Sequence, residues 1–359
     1  MKEKNAKELR YGWTTGACAT AATKAALTAF LGGGFPDPVT ITLPRGQTPS
    51  FALASEEKGG DFARASIIKD AGDDPDVTHL ARIIVTVRKS ARGIHFRAGK
   101  GVGTVTREGL PIPVGEPAIN PIPREMMMGV VAEVTAAFNA PADIEIEVGI
   151  ENGAELARHT MNGRLGILGG LSILGTTGIV VPYSCASWIA SIHRGVDVAR
   201  AAGEAHLAAS TGSTSEKAVA ALYDLSEVAL LDMGDFAGGV LKYIRKCPVE
   251  RLSIAGGFAK ITKLAQGSMD LHSGRSEVDF TWLAERLMEL GAEETLIENA
   301  RAANTAMQVL TEASAANIPL ADLVAEKARA VAQDIAGPET RIEVLVYSRA
   351  GELTGRSHG

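Results

Sequence analysis

Apolar positions along this chain fall into distinct textures, and each predicts its own kind of element. Thr15 to Leu31, TGACATAATKAALTAFL, is alanine-rich, and Lys24 is the only charge between Arg10 and Asp37. Alanine is the strongest helix former, and a helix that is apolar all round has to be buried. Thr14 or Thr15 is the expected N-cap, and Gly32-Gly33-Gly34 ends the run. Alternating or β-branched runs then predict strands from Val39, Ser50, Ala63, Arg82 and Ile94. A helix over Arg124–Asn139 and a strand over Ile144–Ile150 follow. This half reads as an α+β domain with a largely antiparallel or mixed sheet.

From Leu165 to Ile192 no charged residue occurs. The stretch is long enough for a bilayer. Gly166, Gly169, Gly170, Gly175, Gly178 and Pro182 would break such a helix, and lipid offers no water to the freed backbone groups. A buried, glycine-rich loop system is expected instead. After a helix over Ser184–Ala202 come three strand–loop–helix units. Ala205–Ser210 leads into Thr211–Glu216, Glu227–Asp232 into Met233–Phe236, and Arg251–Ala255 into Gly256-Gly257-Phe258. That alternation predicts a parallel sheet with helices on both faces, which Arg341–Ser348 would close. The expected fold is therefore α/β with α+β in two domains. Residues 1–165 form a mixed-sheet domain, and residues 166–359 a three-layer α/β/α domain with a mainly parallel sheet.

Composition narrows the function. A length of 359 residues fits two domains at roughly 150 residues each, and 46% hydrophobic residues exclude a disordered chain. With 36 basic against 42 acidic residues and a net charge of −6, no general nucleic-acid partner is expected, because phosphate affinity needs a basic field. Cys18, Cys185 and Cys247 are scattered and odd in number, which suggests neither a disulfide framework nor a metal site. The charged N-terminus lacks the apolar run of a secretory signal, so a cytoplasmic protein without a membrane partner is expected. A homo-oligomer is left open.

In an open parallel sheet, ligands bind beyond the carboxyl ends of the strands. Thr211, Gly212 and Ser213, Gly234 and Asp235, and Gly256 and Gly257 are placed there. Glycine at such a position allows close approach to helix N-terminal amides. A single loop of this kind is adequately explained as a tight turn; three in succession favour a ligand crevice. The first half carries KDAGDDPDVTH, Lys69 to His79, with four aspartates and a histidine. Its spacing is not that of an EF-hand, and Asp and Pro are also ordinary turn residues. Gly99–Thr106, GKGVGTVT, opens a Gly/Pro-dense loop for which packing alone suggests no need. Thr14-Thr15-Gly16 is echoed by Thr176-Thr177-Gly178. Lys260 and Lys263 share a helix face, ahead of Asp270-Leu271-His272-Ser273.

Together, RYGWTTGACA from Arg10, KDAGDDPDVTH, GKGVGTVTREGLPIPVGEPAINPIPREM, GTTGIVVPYS, the MGDF loop and KITKLAQGSMDLHS resemble the cobalt-precorrin-5B C1-methyltransferase family of anaerobic cobalamin synthesis, the CbiD proteins. The chain departs from that pattern at Gln266-Gly267-Ser268, where Ala-Gly-His is expected, and keeps His272. The resemblance implies a first half similar to the β-α-β fold of ribosomal and small-molecule-kinase domains. It also implies methyl transfer from S-adenosyl-L-methionine to C-1 of a cobalt-containing corrinoid. On that reading the three glycine loops hold the cofactor, and Thr14, Thr15, Gly16, Lys69, Lys100, Thr176, Thr177, Lys260 and Lys263 meet the substrate. Arg10 and Arg124 are further candidate partners for its carboxylates. Asp73, Asp76 and His272 are the candidate catalytic groups. The rival readings are a nucleotide-dependent kinase or ligase using Gly99–Thr106, and a non-catalytic corrinoid carrier.

Overall fold

The computed structural model describes residues 9–358. The chain divides at Cys185 into two compact units.

In the first unit five strands form one sheet, in the order Ser55–Lys58, Phe62–Ile68, Arg82–Lys89, Ile144–Ile150, Ile94–Ala98. All neighbours are antiparallel except the last pair. Period-two alternation sends Ala65, Ile67, Ile83, Val85, Val87, Ile146 and Val148 into the core. The opposite face is charged, with Arg88 on Glu147 and Arg97 on Glu145, as a sheet wet on one side requires. The alanine-rich helix, Thr15–Phe30, packs on that sheet and against a second helix, Pro121–Ala137. It is buried on both sides, so its small side chains meet the expectation. Thr20 and Thr23 bury their hydroxyls by donating to the carbonyls of Gly16 and Ala19, both at 2.8 Å. The strands expected from Val39 and Ser50 shrink to Val39–Thr40 and Ser50–Phe51.

The expected boundary near residue 165 is corrected to Cys185. Ile167–Leu168 pairs with Thr104–Val105, and Ile179–Val180 with Gly12–Trp13. Backbone pairing therefore claims the glycine-rich part of the uncharged stretch for the first unit, where its glycines turn it. No helix among the described residues is long and apolar enough to cross a membrane.

In the second unit the strand order is Leu230–Asp232, His206–Ser210, Arg251–Gly257, Arg341–Tyr347, Leu353–Arg356. The first four are parallel and the last antiparallel. The Ser213–Tyr223 helix covers one face, over Ala208, Ala255 and Leu345. A larger apolar core fills the other, under helices that include Cys185–Ala201, Ala237–Ile244, Phe258–Ala265 and Leu320–Ala336. Glu343 ties the sheet together at the end remote from the glycine loops. Its buried carboxylate accepts from Tyr223 Oη at 2.6 Å, Ser253 Oγ at 2.7 Å, Arg251 Nη2 at 2.7 Å and Arg356 Nε at 2.9 Å. Burial alone would raise this carboxyl, but the donors hold it down at about 2.

Candidate functional site

The chain runs from the His206–Ser210 strand to a neighbour on one side, then returns to lay the Arg251–Gly257 strand on the other. Strand order therefore reverses between these two strands, which is where open α/β sheets bind ligands. The loops leaving them are Thr211-Gly212 and Gly257-Phe258. A Cβ on Gly212 or Gly257 would meet nothing within 4 Å. Neither backbone requires glycine, with φ of 170° at Gly212 and −74° at Gly257. Both stand at the head of a helix whose first amides are unspent. Gly256 differs, since a Cβ there would come within 2.8 Å of Thr211 Oγ1. Gly234 has φ +56°, a left-handed turn in which Met233 and Gly234 N–H both reach the Ser210 carbonyl. The half-exposed Trp188 indole lies 3.5 Å from where its Cβ would be, and Trp188 Nε1 donates to the Asp232 carbonyl at 3.2 Å.

One ammonium joins all three loops. Lys260 Nζ donates to the Thr211 carbonyl at 3.2 Å and lies 2.9 Å from Asp235 Oδ1. Lys260 thus clamps these loops to one another. Lys263 is buried and donates to the Leu271 carbonyl at 3.1 Å, so its expected role toward substrate is corrected to holding that loop. Leu271 N–H in turn reaches the Asp235 carbonyl at 2.8 Å, which brings exposed His272 next to the second glycine loop. His272 Nδ1 accepts the Gly274 N–H at 3.1 Å.

In the first unit the two Thr-Thr-Gly segments lie side by side. Thr14 N–H donates to the Gly178 carbonyl at 3.0 Å, while Thr14 Oγ1 caps the helix by accepting from Ala17 N–H at 3.1 Å. Thr15 Oγ1 exchanges bonds with the backbone of Leu174, and Gly16 N–H reaches the same carbonyl at 3.0 Å. A Cβ on Gly16 would strike Pro123 at 2.8 Å. Thr177 bonds its own turn at Ile179, and Thr176 is exposed. The echo therefore marks a junction of packed segments.

The aspartate loop is largely self-satisfied. Asp70 grips the Arg10 guanidinium with both oxygens, which holds its carboxyl below the usual range. Asp74 accepts from Tyr183 N–H at 2.8 Å. Asp76 accepts Lys69 Nζ at 2.6 Å, Thr78 N–H at 2.7 Å and Thr78 Oγ1 at 2.6 Å. Burial pushes the Asp76 carboxyl up, and these donors more than offset it. Lys69 itself is 1% exposed, so the expected substrate cation is corrected to an internal counter-ion. Asp73 is exposed and uses only Oδ2, on Arg10 N–H at 2.8 Å.

The glycines of the Gly99–Thr106 loop have a packing cause after all. Gly101 has φ +82°, and its Cβ would fall 2.1 Å from the Ile150 carbonyl oxygen; a Cβ on Gly153 or Gly170 would in turn strike the Gly101 backbone. The amides of Gly99, Val102, Gly103, Val105 and Thr106 all donate to backbone carbonyls, so they are spent before any phosphate arrives. The exposed Lys100 side chain projects from this rigid mount and makes no hydrogen bond or ion pair with another described residue. Arg124, by contrast, is consumed by Ile119, Glu116 and Pro117. Among the described residues no group of three or more His, Cys, Asp and Glu side chains is set to hold a metal ion.

The family profile described as CbiD matches residues 2–182, and that of the CbiD C-terminal domain matches residues 270–358. A protein of Paramagnetospirillum magneticum is 57% identical over 98% of this chain and 98% of its own length. One of Brucella anthropi is 55% identical over 99% of this chain and 97% of its own. The chain belongs to the CbiD family. Both relatives are named cobalt-precorrin-5B C(1)-methyltransferase. A crystal structure of the cobalamin biosynthesis protein cbiD from Archaeoglobus fulgidus is 26% identical, covers 79% of this chain and 85% of its own, and superposes with a TM-score of 0.40.

In this CbiD chain the three glycine loops lie between the two profile matches, on residues 211–257. Sequence reasoning missed Trp188, whose only signal was an aromatic in an uncharged run. It also read Lys260 as a ligand group, because spacing reveals a helix face but not what that face meets.

Proposed function

We propose that the protein transfers a methyl group from S-adenosyl-L-methionine to C-1 of cobalt-precorrin-5B, giving cobalt-precorrin-6A in anaerobic cobalamin synthesis. The observation that carries this is the 57% identity, over nearly the whole of both chains, to a protein of that name. The open positions at Gly212 and Gly257 fit a methyl donor, since side chains there would fill the space the ligand needs. When bound, the donor supplies a sulfonium methyl to the electron-rich ring carbon, so no covalent protein intermediate is needed.

The protein's own groups then position and shield. Thr211–Ser213 and Gly257 offer helix N-terminal amides to the donor's polar end, and Gly234 lets Trp188 offer a ring face. Lys260 and Asp235 set the separation of the loops, and orientation of this kind is worth roughly 7–11 kcal/mol over a free encounter. Lys100 offers an uncommitted cation to the carboxylate-rich macrocycle. Asp73 and Asp74 each keep one oxygen unspent, and Asp73, the exposed one of the two, is the carboxylate of its loop best able to hold a pyrrole N–H or accept a proton. Asp76 is not, because its oxygens are filled. The kinase reading loses its support with the spent amides of Gly99, Val102, Gly103, Val105 and Thr106.

Anaerobic incubation with cobalt-precorrin-5B and methyl-labelled S-adenosyl-L-methionine, read by mass spectrometry, tests the proposal. Enzyme-dependent label on the macrocycle is the expected result. Binding of both ligands without transfer would favour the carrier reading.

A further inference from the structure

Of the six cations offered for the corrinoid's carboxylates, Arg10, Lys69, Arg124, Lys260 and Lys263 are committed within the protein, and Lys100 alone is not. A substrate with many acid arms needs more than one partner. Another basic group with unspent donors stands immediately beyond the aspartate loop. A groove of about 200 Å³ is lined by Val77, His79, Leu80, Arg82, Glu151 and Leu156, among others. The Arg82 guanidinium makes no hydrogen bond there: its Nε is buried without a partner, and its ion pair with Glu151 is a loose 3.6 Å. A buried donor left unmade is costly.

His79 is oriented for the same groove. Its Nδ1 accepts the Ala71 N–H at 3.1 Å, so that nitrogen is unprotonated and Nε2 carries the proton. Leu80 completes the rim in a conformation that branched side chains avoid, with φ +62° and 65% exposure. The surrounding bonds impose it. Leu80 N–H donates to the Lys69 carbonyl at 2.8 Å, Lys69 N–H to the Ala81 carbonyl at 2.9 Å, and Ala81 N–H to the Thr78 carbonyl at 3.1 Å. The buried Lys69–Asp76 pair anchors both ends of that turn. A strained turn so firmly held is the pattern of a ligand-facing segment.

We infer that the groove formed by His79, Leu80 and Arg82 binds a carboxylate arm of the substrate, an assignment that rests on the corrinoid reading above. The arm takes the Arg82 fork and the His79 Nε2–H. Its methylene stem lies against Val77 and Leu80, and Glu151 is the resident counter-ion that it displaces.

Equilibrium dialysis of the full chain with dicyanocobyrinic acid, a heptacarboxylate corrinoid, and with its heptamethyl ester tests this. Arg82→Met should weaken acid binding about tenfold or more, the value of a charged hydrogen bond. His79→Asn keeps an acceptor for Ala71 N–H, removes the Nε2 donor, and should weaken acid binding too. Glu151→Gln should tighten it, and Arg82→Lys should fall between Arg82→Met and the parent. The ester should be indifferent to all four. Melting curves confirm that each variant is folded; should Arg82→Met fail to fold, Glu151→Gln and His79→Asn carry the test. Acid binding unchanged by Arg82→Met and His79→Asn overturns the groove and leaves the corrinoid reading standing. So does a Glu151→Gln variant that loses affinity as Arg82→Met does. If the parent chain binds neither acid nor ester, the corrinoid reading fails and the groove with it.

Discussion

Lys260 shows how far a single side chain's role depends on what it meets. Its ammonium ties the Thr211 carbonyl to Asp235, so Lys260→Met should loosen the crevice without unfolding the unit. The expected result is a KM for S-adenosyl-L-methionine raised about tenfold, as loss of a charged hydrogen bond implies, with a smaller change in kcat. Steady-state kinetics on the purified variant separates the two. The aspartates of the first unit make a sharper contrast. Asp73→Asn should lower turnover while donor binding, followed by calorimetry, stays as it was. Asp76→Asn should instead destabilise by about 3–5 kcal/mol in urea unfolding, because it leaves a buried charge on Lys69 uncompensated. The sequence pointed to this loop and named its residues. It did not show which carboxylate was spent, since Lys69 and Asp76 look alike in a string whether solvated or paired at 2.6 Å.

At the level of elements, two glycine loops that read alike in sequence have opposite causes. Gly101 is required by its own backbone, at φ +82° and pressed on the Ile150 carbonyl. Gly257 is not, with φ −74° and free space beside it. Gly101→Ala should therefore lower the melting temperature sharply. Gly257→Val should leave it unchanged and abolish S-adenosyl-L-methionine binding in calorimetry. Donor binding retained by folded Gly257→Val would remove the crevice from the proposal. Most long elements were legible, and the Arg82–Lys89 and Ile144–Ile150 strands agree to the residue, because one buried face imposes a strict alternation. The runs from Val39 and Ser50 carried the same β-branched signal and yielded only a two-residue ladder. Side-chain preference cannot supply the partner strand a ladder needs.

For the molecule as a whole, the Glu343 network joins the strands and the Ser213–Tyr223 helix of the second unit. Its carboxyl, normally near 4.5, is held at about 2 in the fold. A depressed carboxyl stabilises the folded state above its unfolded pKa, and that stability fades as pH falls from about 4.5 toward 2. Its share is about 3 kcal/mol at neutral pH, from the drop between those two values. Glu343→Gln should lower the neutral-pH stability of the second unit and flatten its dependence between pH 5 and 2 by about the same amount. Urea titrations at several pH values check this.

What the sequence determined by itself was everything carried by period and composition. That includes the buried alanine helix, the one-sided sheet, the parallel strand–loop–helix units and the family signature. These are local, because a helix or strand repeats its burial pattern every few residues. What only the tertiary structure decided was which groups remain free. The backbone pairing of Ile167–Leu168 and Ile179–Val180 moved the division of the chain to Cys185. Four ion pairs and one hydrogen bond to a backbone carbonyl consumed five of six expected cations and left Lys100, while Arg82, without a motif to announce it, kept its donors unspent. A charge's availability depends on partners brought from distant positions, and no local pattern encodes those distances.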